Sequence, residues 1–356
     1  MMKFPTVEEK IITQSKGLKP KDCRGRSNEL KTIEDLYKAG KRIVIVSGVG
    51  GIGKSTLASG FFHKEHKPFT CLQTIVIKED APFKFEDFLH SLKFTEEETR
   101  TRTADESAAD IDSQSIILID NANKIDSEFL SDLLYYTSCR YLITTRMGVS
   151  LTEELKKDIE EIELKELDED TSEKIFQKYY LTKLDEEGKR LFKEYVYDEF
   201  YGNTQAIILV AQMLDLHGLL LKDYVKMRRK SLKENRFEEK EDTVSSRLCA
   251  FFKITDTIDL KNDQESVRAL RVPMIMRNIW IEEKYLRTKL NCHSNAFVSL
   301  SRAGIITRRR TPDNRYIIKM HPVTARALEL YGVTIDNEAR SISLECLIEK
   351  QYQESR

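Results

Sequence analysis

The segment Gly48-Val49-Gly50-Gly51-Ile52-Gly53-Lys54-Ser55-Thr56 has the spacing G-x-x-x-x-G-K-[ST] of a phosphate-cradling loop. Its glycines let backbone N–H groups approach an anion, and a helix beginning at Lys54 would add the positive end of its dipole. Lys54 offers a point charge to the β- and γ-phosphates of a nucleoside triphosphate, and the Ser55 hydroxyl can ligate Mg²⁺. Such a loop needs a carboxylate for the metal at the end of a neighbouring strand. Ser115-Ile116-Ile117-Leu118-Ile119-Asp120 supplies one, so Asp120 is the expected second metal residue, directly or through water. Asn121 follows, where many active ATPases carry an acid. An amide is a poor proton acceptor, and hydrolysis is therefore expected to be slow.

The elements that must position these residues are legible as alternating helix and strand. Ser27 is an expected cap for a helix with the apolar stripe Leu30, Ile33, Leu36 and Tyr37, ending near Gly40. Ile43 to Val46 is a β-branched run of the kind that forms a strand buried on both faces, and similar runs recur at Cys71 to Ile77, Ser115 to Asp120 and Tyr141 to Thr144. The spacing between them suits crossover helices, which predicts an α/β fold with a mainly parallel sheet covered on both faces. Thr95 to Gln114 is polar and acid-rich and reads in part as an exposed loop.

From Leu151 onward the strands are expected to give way to helix. Asp168 to Tyr180, Asp185 to Phe200, Asn203 to His217 and Leu220 to Leu232 each carry apolar residues at three- and four-residue steps, which predicts a small bundle. A charged stretch from Lys233 to Asp242 reads as a linker. Further helices follow, then two strands at 304–308 and 315–319 around a turn at Pro312-Asp313-Asn314, which together suggest a winged helix-turn-helix. The expected division is a nucleotide-binding domain over 20–150, a helical bundle over 151–235, a winged-helix domain over 244–335, and a C-terminal tail over 336–356 with one more helix.

Composition narrows the class. Lys plus Arg number 58 against 59 for Asp plus Glu, so any site for a polyanion must be local. The longest apolar runs are far too short to span a membrane, and Met1-Met2-Lys3-Phe4-Pro5 does not open a signal sequence, which makes the cytoplasm the expected compartment. Six scattered cysteines contain no C-x-x-C pair and are expected to be reduced core residues, while the His63-Lys64-Glu65-His66 pair reads as a solvated helix end. Asn123-Lys124-Ile125-Asp126 matches the guanine-reading string NKxD, but it lacks a strand of its own directly before it and a DxxG turn upstream. It reads as a chance match.

The longer string Gly48 to Ala58, GVGGIGKSTLA, resembles the NB-ARC group of STAND ATPases, the switch modules of plant immune receptors, apoptosome proteins and many prokaryotic regulators and defence proteins. The resemblance runs over roughly residues 20 to 335. Cys23 to Leu30 is similar to the family's "GRexEL" segment and places Arg26 beside the nucleotide. Cys139 to Arg146 is similar to its "iliTTR" sensor and implies that Arg146 reads the γ-phosphate, a contact present with ATP and absent with ADP. Tyr201-Gly202-Asn203-Thr204 occupies the place of the "GxPLAL" turn, with Thr204 where the family has proline near adenine. Met320-His321-Pro322 stands in place of "MHD" and implies that His321 meets the ADP β-phosphate, with Pro322 replacing the acid.

The resemblance thus implies an ATP/ADP-binding switch with Mg²⁺ that controls oligomerisation and signalling and hydrolyses ATP slowly. The implied nucleotide contacts are Arg26, Gly48, Gly50, Gly51, Ile52, Gly53, Lys54, Ser55, Thr56, Arg146, Thr204 and His321. Lys54, Asp120 and Arg146 are the implied catalytic residues, and Ser55 and Asp120 hold the metal. A nucleotide-dependent homo-oligomer is expected, with sensor and effector modules on other segments or chains, and with neither nucleic acid nor membrane as partner. The alternative is a nucleotide-regulated DNA-binding transcriptional regulator whose wing carries Arg308, Arg309, Arg310, Arg315 and Lys319, although no second basic cluster marks a recognition helix. A metabolic nucleotide kinase is a third class, for which no acceptor pocket or basic lid is apparent.

Overall fold

The structure is a computed structural model. It describes residues 23–63, 70–77, 83–91, 115–146, 148–233, 243–255, 263–277, 279–311 and 313–354. The expected loop within 95–114, most of the 233–242 linker, the Lys64 to His66 part of the histidine pair and Pro312 lie outside those residues. The chain divides into two compact units, Met1–Lys165 and Glu166–Arg356.

In the first unit α1 (Ser27–Lys38), β1 (Ile43–Ser47), α2 (Lys54–His63), β2 (Thr70–Val76), α3 (Phe85–Ser91), β3 (Ser115–Asp120), α4 (Ser127–Tyr136), β4 (Arg140–Thr144) and β5 (Ile159–Glu163) follow one another. The five strands pair in parallel in the order β2-β3-β4-β1-β5. The β-branched runs explain the two-sided burial. Val44, Val46, Ile116, Leu118 and Leu142 point to one face and pack with Leu30, Ile33, Tyr37, Leu57 and Phe61 from α1 and α2. Ile43, Ile45, Ile117, Ile119 and Ile143 point to the other and pack with Phe88, Phe129, Leu130 and Leu133 from α3 and α4. Each such side chain taken from water contributes about 1.5–3 kcal/mol.

Two expectations are corrected here. β5 lies in the stretch read as helical from Leu151 onward. Its sequence, Ile-Glu-Glu-Ile-Glu, hides a strand because it is a sheet edge and only Ile159 is fully buried. Ser27 is the first helical residue and not the cap; Arg26 occupies the N-cap position without a capping side-chain bond.

The second unit holds α5 (Glu169–Tyr179), α6 (Glu186–Phe192), α7 (Thr204–Leu216) and α8 (Leu221–Lys233), close to the four helical segments expected, with α6 continuing into a π-helical turn over Lys193–Tyr197. Asp168, Asp185 and Asn203 cap α5, α6 and α7 by accepting from the backbone N–H three residues on. Next come α9 (Val244–Thr255), α10 (Gln264–Ile275), β6 (Ile281–Glu282), α11 (Glu283–Leu290), α12 (Ser294–Arg302), β7 (Thr307–Arg310), β8 (Tyr316–Lys319), α13 (Pro322–Tyr331) and α14 (Asn337–Glu354). β7 and β8 form the expected hairpin, and β6 adds a third antiparallel strand beside β8 that was not expected. One apolar core runs through the unit from Phe176 to Cys346, so Ala339, Ile342 and Cys346 of α14 are buried in it.

Among the described residues Cys23, Cys139, Cys249, Cys292 and Cys346 are buried and form no disulfide, as expected. Among the described residues no group of three His, Cys, Asp or Glu side chains is gathered to hold a metal. No single described helix is long and apolar enough to cross a membrane.

Candidate nucleotide site

The strand order builds the site. The loop leaves the end of β1, Asp120 ends β3, and β4 lies between them. Gly48, Gly51 and Gly53 have φ of 142°, 84° and 110°, values that L side chains rarely adopt. Ile52 is buried against Leu57 and Leu164 and anchors the loop from below. Arg26, only 6% exposed, fastens it from the side: Nη2 donates to Ile52 O at 3.2 Å and to Lys165 O at 2.7 Å, while Nη1 pairs with Glu29 at 2.8 Å. Cys23 Sγ donates to Thr56 O at 3.1 Å. Arg26 therefore lies at the site in contact with loop backbone, with its geometry set by the turn at Cys23–Gly25 that precedes α1.

Lys54 Nζ donates to Gly48 O at 2.6 Å and Val49 O at 2.9 Å, folding back along the loop. Burial, and then repulsion from the nearby Arg146 guanidinium, push its ammonium down to about 8, with Asp120 opposing. Two cations placed near one another at the end of the sheet suit an anion. Asp120 Oδ1 accepts from Ser55 Oγ at 2.8 Å and from Thr144 Oγ1 at 2.5 Å, so the two expected metal residues meet as an oxygen pair of the kind hard divalent cations take.

A consequence follows for pH. Phosphate binding favours the charged lysine, so binding takes up a proton wherever the free site has lost one. With Lys54 titrating near 8, affinity for a nucleoside di- or triphosphate is expected to be about tenfold weaker at pH 9 than at pH 7. A Lys54→Met protein should lose that slope. Titrations at several pH values, with calorimetry in two buffers to count protons, check this; a pH-independent affinity contradicts it.

A chain of hydrogen bonds joins the metal residues to the sensor segment. The Asn121 N–H donates to Thr144 Oγ1 at 2.9 Å, so the Thr144 hydroxyl links that amide to Asp120. Asn121 itself sits in the left-handed region, φ 66°, where asparagine is among the few tolerated residues. Its Nδ2 donates to Ile77 O at 3.0 Å and its Oδ1 accepts from Asn123 Nδ2 at 2.9 Å. Asn123 Oδ1 in turn accepts the Arg146 N–H at 2.9 Å. Asp126 caps α4 by accepting from Phe129 N. Asn123 and Asp126 of the NKxD string thus both have structural partners. The sequence marks no role for Thr144 or Asn123; Thr144 lies inside the sensor-like string, but nothing in that string tells which strand neighbour its hydroxyl reaches.

The structure brings together Lys54, Ser55, Asp120 and Arg146, with Arg26, Ile52 and the loop glycines framing them. Thr204 and His321 belong to the second unit. Thr204 opens α7 behind the Asn203 cap, and its buried Oγ1 has no hydrogen-bond partner among the described residues. His321 caps α13, its Nδ1 accepting from Val323 N at 3.2 Å, which leaves the ring proton on Nε2. Pro322, at the first helical position, suits that start.

Residues 27–186 match the NB-ARC domain family. A STAND protein with a tetratricopeptide repeat sensor from Pyrococcus horikoshii has a similar structure at TM-score 0.51 and 16% identity, over 92% of this chain and 45% of that one, so the chain spans less than half the length of that relative. Two more distant similarities, each at TM-score 0.38 and 13% identity, carry no argument: a Thermotoga maritima RuvB Holliday junction branch migration motor, over 85% of this chain and 95% of that one, and a Walker-type ATPase of Pyrococcus abyssi, over 88% and 97%. No curated protein sequence matches the chain. The NB-ARC match is thus to residues 27–186, the segment that carries the phosphate loop, Asp120 and Arg146.

Proposed function

We propose that the chain is an ATP/ADP-dependent switch. The observation that carries the reading is the convergence of Lys54, the Ser55–Asp120 pair and Arg146 on one end of the parallel sheet. In this reading the loop amides and Lys54 hold the β-phosphate, Ser55 and Asp120 hold Mg²⁺, and Arg146 distinguishes a γ-phosphate from its absence. A divalent cation held there supplies positive charge against the phosphate oxygens.

Slow turnover is supported by Asn121, whose amide is engaged by Ile77 O and Asn123 and carries no basic atom for a water proton. ADP would hold the closed form; exchange for ATP would release it for self-association, with sensor and effector modules as partners. A ligand shifts such an equilibrium only by its differential affinity, and a γ-phosphate contact to Arg146 supplies one.

The test is to release nucleotide from purified protein with acid and identify it, then compare the mass of ADP- and ATP-loaded protein by light scattering. ADP is the expected co-purifying nucleotide, and ATP loading should raise the assembly state. Protein that neither carries nor binds adenine nucleotide would sink the reading.

A further inference from the structure

We propose that α12 and the β7–β8 hairpin form a docking face for duplex DNA, with α12 facing the major groove and the hairpin the neighbouring backbone. Overall neutrality conceals a local imbalance. Residues 244–335 contain sixteen Lys or Arg against eight Asp or Glu, whereas the whole chain has 58 against 59. Within that stretch, the twenty-nine residues from Lys284 to Pro312 contain seven Lys or Arg and no acid at all. A segment of this charge draws polyanions by counterion release.

The structure arranges the segment as a reading head. α11 and α12 are joined by Asn291–His293, with Asn291 left-handed at φ 49°. α12 buries Ala296, Phe297 and Leu300, which leaves Asn295, Ser299 and Arg302 exposed on its opposite face at steps of four and three residues. Amide, hydroxyl and guanidinium groups are the side chains that pair with base edges, and nine helical residues span about 13 Å, close to the major-groove width. In place of a second basic cluster, α12 presents a polar stripe without an acid, with cations around it. No large apolar side chain is exposed on α12, so the helix lacks an anchor for a membrane.

The cations differ in what holds them, and Arg309 and Lys319 lie over the Trp280 ring. Arg308 is internal: its Nε and Nη2 donate to Glu283 at 2.5 and 3.3 Å, and it stacks 3.6 Å over Tyr316. Glu283, 2% exposed, also accepts from Ser294 Oγ at 2.6 Å, so this carboxylate ties the starts of α11 and α12 to the hairpin. Arg315 pairs with Glu282 and Asp313, and Lys289 with Glu345. These contacts engage neighbouring acids, and those of Arg308 and Arg315 fix the hairpin. Lys284, Arg287, Arg302 and Arg310 remain exposed, with no ion-pair partner among the described residues. They are the four that would meet phosphate.

The experiment uses the full chain and fluorescence anisotropy with a labelled duplex of roughly 20 base pairs at about 50 mM salt, where micromolar binding is expected to weaken with a log–log salt slope of about −3 to −4. The variant Lys284→Ala/Arg287→Ala/Arg302→Ala/Arg310→Ala should weaken binding at least about tenfold and flatten the slope. The same variant should retain its nucleotide affinity and far-ultraviolet circular dichroism, since all four side chains are exposed. The proposal is overturned by salt-independent or undetectable binding, by a variant that binds as the parent does, or by tighter binding to single-stranded RNA or to phosphatidylserine vesicles than to the duplex.

Discussion

Lys54→Ala is expected to weaken ADP and ATP binding by at least about a hundredfold, because a charged hydrogen bond to phosphate and its Coulombic partner are lost together, about 3 kcal/mol. The same substitution should leave the ligand-free protein as stable as before, or more so. Burial and Arg146 disfavour the lysine's charge in the free site, so removing it relieves a cost. In linkage terms a lysine whose folded value is depressed binds fewer protons in the native than in the unfolded state between pH 8 and the ordinary lysine value. Its contribution to stability therefore rises with pH across that window in the parent and is missing from the variant. Binding by calorimetry and melting by circular dichroism separate the two effects. A dissociation constant within threefold of the parent would falsify the assignment of Lys54.

Gly48→Ala has the second largest expected effect, and acts through the fold. A Cβ at Gly48 would lie 2.6 Å from the carbonyl oxygen of Leu164, a backbone atom that cannot swing aside, at a φ of 142° that alanine disfavours. The combined strain and overpacking are expected to cost about 2–5 kcal/mol, with a melting temperature lower by several degrees or more and nucleotide binding lost with the loop geometry. Gly53→Ala is the control. It shares a positive φ of 110° but meets nothing within 4 Å, so only the backbone strain applies and the loss should be smaller. Equal melting temperatures for the two variants would show that the approach of Leu164 to the loop does not matter.

Residues whose role depends on local pattern were legible in the sequence. The glycine spacing, the strand before it and the apolar run ending in Asp120 all sit within a few positions of one another, and their meeting at Ser55 needs only the usual parallel sheet. Thr144 and Asn123 were not legible, because their roles depend on which strand separates β1 from β3 and on a turn made by a left-handed asparagine. β5 was hidden for the opposite reason: as an edge strand it needs little apolar character, and its three glutamates read as helix or loop. The charge imbalance around α12 was masked by averaging over a chain whose remaining parts are acidic.

The strand order has a consequence for how the protein is made. β1 pairs with β4 on one side and β5 on the other, and the Leu164 N–H donates to Ser47 O at 2.8 Å where the loop begins. Both neighbours emerge from the ribosome roughly a hundred residues after β1, and contacts so distant in sequence form late and slowly. The strand that carries the phosphate loop therefore waits, unpaired, through most of the synthesis of its own unit. A nascent chain shorter than about Lys165 has the motif and no seat for it, so nucleotide can begin to stabilise the fold only once the last edge of the sheet has been translated.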